Sequence, residues 1–161
     1  MNWREAFFAQ ARSEHVLRRQ LNNAQVEYSH QLHYLQMVCE KLAKAYAAHP
    51  SSHEPPTTSH LAFVRLLQSL KSRPDARRQL GYEDSTVFRR FIDSLLPLAE
   101  KIERLAPNLA GLTSPNPEYP WREPTGDVRA PVDYAFPEFD AKSAQMIKLE
   151  RLIEALIRFG I

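Results

Sequence analysis

The sequence predicts an all-α fold, an up-and-down helical bundle of four to five helices with a long proline- and aromatic-rich extended segment before the last helix. Apolar residues recur at spacings of three and four over most of the chain, which is the period of an amphipathic helix. No stretch alternates apolar and polar residues for long enough to indicate a strand. The 161 residues suffice to bury a sizeable core, and we interpret residues 1–161 as a single domain.

The first two helices are predicted over 3–22 and 24–48. Asn2 and Glu5 have the spacing of a capping box, in which two residues cap the first turn of a helix reciprocally. The second helix has the clearest pattern, because its apolar side chains step by three and four along one face. These side chains are Tyr28, Leu32, Leu35, Cys39, Leu42 and Tyr46.

A loop rich in proline and serine separates the second helix from a third, which is predicted over 58–71. Thr58 or Ser59 is expected to cap this third helix, because a short hydroxyl side chain accepts a hydrogen bond from a free N–H of the first turn. A short helix is predicted within 72–81, with Pro74 in its first turn and a glycine as its C-terminal stop.

Two further long helices are predicted over 85–105 and 141–159. Pro97 lies inside the first of them and lacks the N–H that a helix interior uses, so a kink or a break is expected there. Asp140 is expected to cap the second, because its carboxylate can accept hydrogen bonds from the first-turn N–H groups.

Residues 107–139 form the extended segment, which contains seven prolines and five aromatic residues. A disordered linker does not usually carry so many aromatic side chains, so we predict an ordered strap that packs on the helices and buries Trp121. The alternative is a surface for a partner or ligand, built from Tyr119, Trp121 and Tyr134, in which the indole could stack on a base.

The formal net charge of +2 is too small to indicate nucleic-acid binding by itself. The densest basic stretch begins at Lys71 and continues into the helix predicted over 85–105. It is interpreted either as a solvated helix face or as a phosphate-facing patch. The candidate binding residues are His60, Arg73, Arg77, Arg78, Arg89, Arg90, Tyr119 and Trp121.

No metal or cofactor site is predicted. Glu27 and His30 have the spacing of half a di-iron bundle site, but the chain has no second copy of this pair. His30 and His33 could hold a metal together, yet no third ligand with a zinc-like spacing stands out. Four glycines do not assemble a phosphate-binding loop, and Cys39 is interpreted as a buried, inert thiol.

A cytoplasmic location is expected from three features of the sequence. No apolar run approaches the ~20 residues that a bilayer-spanning helix needs. The first residues lack the basic-then-apolar pattern of a signal peptide. The single cysteine cannot form an internal disulfide.

Three short segments of the chain carry a family resemblance. Residues 35–46 read Leu-Gln-Met-Val-Cys-Glu-Lys-Leu-Ala-Lys-Ala-Tyr, residues 58–61 read Thr-Ser-His-Leu, and residues 117–120 read Pro-Glu-Tyr-Pro. The first resembles the signature second helix of HEPN domains, in which a Gln-x-x-x-Glu-Lys-x-x-Lys-Ala pattern recurs. The second is similar to the Thr-His-Asp-Leu start of the family's third helix, and the third stands where many members have Arg-Tyr-Pro.

The HEPN resemblance implies a helical bundle that is usually homodimeric. It also implies a protein partner, such as a nucleotidyltransferase, within a toxin, stress or defence system. Many members are metal-independent ribonucleases with an Arg-x(4 to 6)-His motif near the start of the last bundle helix, where the Arg holds the phosphate and the His transfers a proton. None of the six histidines here has an Arg at that spacing, and none follows His60.

We therefore expect a non-catalytic HEPN-like interaction domain without metal-independent ribonuclease activity. The alternative is an RNA-binding protein or a divergent ribonuclease that uses His60 and the basic residues of 71–90. The helix predicted over 24–48 is expected to contribute to a homodimer interface, because Tyr34 and Met37 lie on a face offset from its apolar stripe, with Lys41 beside them. The competing interpretation packs these two side chains under the strap.

Overall fold

A computed structural model describes residues 1–49, 51–56, 61–111 and 113–160 of the chain. It is an all-α bundle with an extended segment before the last helix, as predicted. The helices are α1 (Trp3–Asn23), α2 (Tyr28–Ala47), α3 (Ala62–Leu70), α4 (Pro74–Gln79), α5 (Ser85–Glu103), α6 (Pro107–Ala110) and α7 (Ala144–Phe159). Two short strands, β1 (Trp121–Arg122) and β2 (Val128–Arg129), lie between α6 and α7.

Helices α1 and α2 form an antiparallel pair that begins as the sequence predicts. The Asn2 side chain accepts a hydrogen bond from the Glu5 N–H at 2.9 Å, and the Glu5 carboxylate accepts one from the Asn2 N–H at 3.0 Å, so the capping box is confirmed. The predicted start of the second helix at residue 24 is wrong. Gln25 has a φ of 55°, a left-handed conformation that interrupts the helix, and α2 begins at Tyr28.

Helix α3 begins at Ala62 rather than at residue 58. Thr58 and Ser59, the expected caps, lie outside the described residues. Among the described residues, Glu103 of α5 caps the first turn, because its carboxylate accepts hydrogen bonds from the N–H groups of Phe63 and Val64 at 2.6 and 3.4 Å. A side chain forty positions away in sequence therefore satisfies the first turn of α3.

Helix α5 continues through Pro97 to Glu103, so the predicted break is absent, whereas the alternative of a kink stays a prediction. Helix α7 differs from its prediction at its cap. Asp140 does not cap α7, because its carboxylate accepts a hydrogen bond from the Lys142 N–H at 2.9 Å in the preceding turn. Ser143 is the cap, since its hydroxyl accepts from the Met146 N–H at 3.2 Å.

The core is built from the apolar stripes of the long helices. Helix α2 lies centrally and contacts α1, α3, α5 and α7. Its Cys39 thiol is buried and unpaired, and burial raises its pKa well above the ordinary value, so the thiol stays protonated as predicted for an inert cysteine. Each long helix keeps a polar face, and none of the described helices is both long and apolar enough to cross a membrane.

Most of the proline-rich segment is an ordered strap, as predicted, but its first residues, Pro107–Ala110, form the short helix α6 instead of extended chain. Strands β1 and β2 pair antiparallel, with Trp121 opposite Arg129, and are followed by 3-10 turns at Pro131–Asp133 and Pro137–Phe139. Trp121 is only 3% exposed and packs with Tyr134 and Phe136, whose ring centroids lie 5.2 and 6.2 Å from it. The predicted burial of this indole is confirmed, and the strap seals one side of the bundle.

Candidate functional site

A polar pocket lies between α1, α2 and α7, with a volume of about 260 Å³. Helix α1 contributes basic residues and a histidine, α7 contributes two carboxylates, and α2 contributes Tyr28 and Gln31. The charged and titratable residues that define this polar pocket are His15, Arg18, Arg19, Glu150 and Glu154. Basic side chains therefore line one wall and acidic side chains the facing wall.

Arg18 joins the three helices at the base of the polar pocket. Its Nη1 lies 2.5 Å from Oε1 of Glu150 in a close ion pair, although this carboxylate oxygen has no well-aligned hydrogen bond from any described residue. Its Nε donates to the Gln31 carbonyl at 3.1 Å, and the Gln31 side chain in turn donates to the Val26 carbonyl at 2.8 Å. These contacts hold the guanidinium in place but use only two of its N–H groups, so the others stay available.

His15 is the unusual residue of the polar pocket. Its side chain is 7% exposed, and neither ring nitrogen has a hydrogen-bond partner among the described residues. Burial lowers the pKa of the imidazole; the carboxylate of Glu150 raises it and the guanidinium of Arg18 lowers it to smaller extents. A neutral imidazole carries one donor and one acceptor, so His15 offers both to whatever occupies the cavity.

The mouth of the polar pocket carries a second, looser ion pair. Arg19 Nη1 lies 3.9 Å from Glu154 Oε1, and both side chains are more than half exposed. This separation is at the limit of an ion pair, so the contact between the two exposed side chains is weak. Tyr28 closes the inner side, where its hydroxyl donates to the Phe139 carbonyl of the strap.

The predicted basic residues lie elsewhere, on α4, on α5 and on the connection before α4. Arg73 binds Asp75 through two hydrogen bonds of 3.4 and 2.7 Å, and Arg77 donates to the Glu83 carbonyl. Arg78, Arg89 and Arg90 are exposed and form no ion pair with another described residue. His60 lies outside the described residues, so its use together with these arginines in the alternative RNA-binding hypothesis stays untested.

The aromatic candidates of the strap are separated by their exposure. Trp121 is buried and cannot present its face to a base, and Tyr134 is half-buried against it. Tyr119 is 57% exposed, on a turn in which the buried Asn116 side chain accepts hydrogen bonds from the Glu118 and Tyr119 N–H groups at 3.1 and 2.8 Å. The predicted stacking surface is therefore reduced to a single tyrosine.

The histidines considered for metal binding are not gathered into a site. Glu27 and His30 are exposed at the start of α2, and His33 pairs through Nδ1 with Glu118 of the strap at 3.0 Å. In the part of the chain that the structure describes, no group of three His, Cys, Asp or Glu side chains could hold a metal ion.

A second concavity, which we call the α5–α6 groove, is mostly apolar, with charged side chains at its rim. It has a volume of about 700 Å³ and lies between the end of α5, α6 and the strap. Buried Leu105, Ala110 and Phe139 form its floor, while Leu61 and Leu109 at its edge are 38% and 36% exposed. Lys101 and Arg104 lie on the α5 side of the groove.

None of the residues of the polar pocket is among the predicted site residues. The signal in the sequence is the face shared by Ala11, Glu14, His15 and Arg18, where spacings of three and four carry polar side chains along the stripe that should face the core. Glu14 is also buried, and one of its carboxylate oxygens has no hydrogen-bond partner within the described ranges. Buried polar residues on a core stripe indicate an interior polar cluster, although not which helix supplies the opposite wall.

Comparison of the chain with protein-family models, curated proteins and solved structures finds no match.

Proposed function

We propose that this chain is a non-catalytic, HEPN-like interaction domain that binds a segment of a protein partner in the α5–α6 groove. The observation that carries this proposal is the groove itself, a concavity of about 700 Å³ with an apolar floor and two leucines exposed at its edge. Such a groove accommodates the apolar face of a helix or short peptide, whose side chains would replace water against the leucines.

The charges beside the groove indicate the chemistry of the segment. Lys101 is exposed and has no carboxylate partner among the described residues, whereas Arg104 pairs with Glu100 at 2.5 Å. A carboxylate at the flank of the bound segment would therefore meet Lys101, while its leucine-like side chains enter the groove. The resemblance to HEPN domains makes a nucleotidyltransferase of a toxin, stress or defence system the partner class.

A photo-activatable cross-linking amino acid tests this proposal in the cells that produce the protein. Placed at Leu109, it should yield a cross-link to one protein through that protein's apolar segment, identified by mass spectrometry. The matched control is Val87, which is 52% exposed on α5 and lies outside the groove. The same products from both positions, or none from Leu109, would overturn the assignment of the groove.

RNA binding is the second candidate, and it is favoured by Arg78, Arg89 and Arg90, which are exposed and have no ion-pair partner in the described part of the chain. If they contact phosphates, a fluorescent single-stranded RNA should bind with an affinity that falls as salt rises, and replacing all three by alanine should flatten that dependence. Replacing Arg12 by alanine, an exposed residue of α1, is the control. In EDTA the RNA should stay uncleaved, since the chain lacks the Arg-x(4 to 6)-His spacing.

A further inference from the structure

The imidazole of His15 lines the polar pocket without a hydrogen-bond partner among the described residues, although more than nine-tenths of its surface is buried. Buried polar groups in folded proteins are almost always paired with protein, water or a ligand. The cavity of about 260 Å³ beside the ring is large enough for more than one water molecule. The unpaired ring and the cavity together indicate a site that something polar occupies.

The charges of the polar pocket are balanced, and the two signs come from different helices that meet in it. Helix α1 supplies Arg18 and Arg19, and α7 supplies Glu150 and Glu154, so the formal charges cancel when the histidine is neutral. A ligand with net charge would bring an uncompensated charge into a partly buried site, which is unfavourable. A ligand carrying both signs can instead place its negative end toward α1 and its positive end toward α7.

The groups that such a ligand needs are available in the polar pocket. Arg18 uses only Nη1 and Nε in its contacts with Glu150 and Gln31. Because a guanidinium has five N–H donors, the others are available to a ligand. The pair of Arg19 and Glu154 at the mouth is exposed and at the 3.9 Å limit of an ion pair, so each side chain can turn toward a ligand instead. Met146 and Tyr28 provide apolar contact surface for the remainder of the ligand.

The volume limits the size of the ligand. Sites for drug-sized molecules usually span about 300–1,000 Å³, and this cavity falls just below that range. A molecule with an ammonium group, a carboxylate and a short side chain has the matching size and charge. We propose that the polar pocket binds a free α-amino acid, with its carboxylate against Arg18 and Arg19, its ammonium against Glu150 and Glu154, and a hydrogen bond to the ring of His15.

The test screens the twenty standard amino acids, each at about 10 mM, against the full chain carrying ¹³C-labelled histidine. At least one should shift the His15 ring signals in NMR spectra, and calorimetry should then give a dissociation constant of about 1 mM or tighter. The N-acetyl derivative of that amino acid lacks the ammonium, and its methyl ester lacks the carboxylate. Both should bind at least about tenfold more weakly than the parent amino acid.

Two surface variants separate this site from binding elsewhere. Arg19→Gln and Glu154→Gln alter the mouth without removing the buried Arg18 contact, and each should weaken binding at least about tenfold. Arg12→Gln, on the same helix but outside the pocket, should bind as the wild type does. The proposal is overturned if no amino acid shifts the His15 signals or if the N-acetyl and methyl-ester derivatives bind as tightly as the parent amino acid. It is also overturned if Arg19→Gln and Glu154→Gln bind the amino acid as the wild type does.

Discussion

His15 carries an imidazole into the packed layer between α1 and α7, and burial is the main cause that lowers the pKa of this ring. Glu150 and Glu154 on α7 raise this pKa, whereas Arg18 and Arg19 on α1 lower it. In the unfolded chain the ring titrates near the ordinary histidine value of about 6.5. The unfolded state therefore takes up a proton at a higher pH than the folded state does, and acid favours unfolding through this residue.

We predict that the free energy of unfolding of the wild type falls as the pH is lowered from about 7 to about 5. The free energy of unfolding of His15→Gln should fall by less over the same interval. The sign follows because a folded-state pKa below the unfolded one gives stability that is lost as the pH drops through the unfolded value. Urea denaturation at the two pH values measures the difference. Ser13→Gln, which adds the same side chain on the exposed face of α1, should keep the wild-type pH dependence. Equal losses in wild type and His15→Gln would contradict the prediction.

Glu103 supplies the cap of α3 from the end of α5, and removing its carboxylate leaves two first-turn N–H groups without their partner. We predict that Glu103→Ala lowers the free energy of unfolding by about 1–2 kcal/mol, the usual cost of losing a helix cap. Glu100→Ala is the control, because its ion pair with Arg104 is exposed and should change stability by less than about 0.5 kcal/mol. The prediction is contradicted if Glu103→Ala lowers the free energy of unfolding no more than Glu100→Ala does.

At the scale of elements, the strap is held to the bundle by an aromatic cluster around Trp121. We predict that Trp121→Ala costs about 3–5 kcal/mol, as expected for deleting a buried aromatic side chain, and lowers the melting temperature by roughly 10 °C. Tyr119→Ala, on the exposed turn of the same strap, should leave it nearly unchanged. An unchanged melting temperature for Trp121→Ala, together with lost binding of a partner, would instead make the strap a recognition surface.

Periodicity alone predicted the long helices, because each of them buries one stripe of apolar side chains. The helix starts that periodicity did not predict depend on caps and on local backbone conformation. Helix α3 is capped by Glu103 from a distant part of the chain, and α2 starts late because Gln25 adopts a left-handed conformation. At α7, Ser143 and Asp140 are both good caps in isolation, and only the turn geometry decides between them.

The candidate sites were harder to predict than the helices. Clustered arginines are visible in a sequence because they are neighbours along the chain, and this local density singled out Arg77 and Arg78. The polar pocket instead brings α1 and α7 together from opposite ends of the chain, so Arg18 meets Glu150 only after folding. No spacing rule within one helix states which other helix will face it.

For the assembly of the protein, the face of α2 that contains Tyr34 and Met37 is the candidate dimer interface. Both side chains are half-buried within one chain. The strap reaches this part of α2 through Glu118, which pairs with His33, and the His33 and Tyr34 rings are 5.2 Å apart. The surface that these two residues leave exposed is available to a second copy of the chain.

We predict a homodimer that uses this face of α2, since two-fold pairing is the commonest assembly symmetry. Light scattering at micromolar concentration should give about twice the chain mass of 18.6 kDa. Tyr34→Glu combined with Met37→Glu should return the protein to that chain mass, whereas Val87→Glu, on the exposed face of α5, should leave the dimer intact. A wild-type mass equal to that of one chain would remove the prediction.

The most direct test of the proposed function is the affinity of the purified partner that cross-links from Leu109, measured by calorimetry. Leu109→Glu places a charge at the edge of the apolar α5–α6 groove and should weaken binding at least about a hundredfold, while Val87→Glu should bind as the wild type does. Binding that both variants preserve, or that both lose equally, would contradict the assignment of the groove as the partner site.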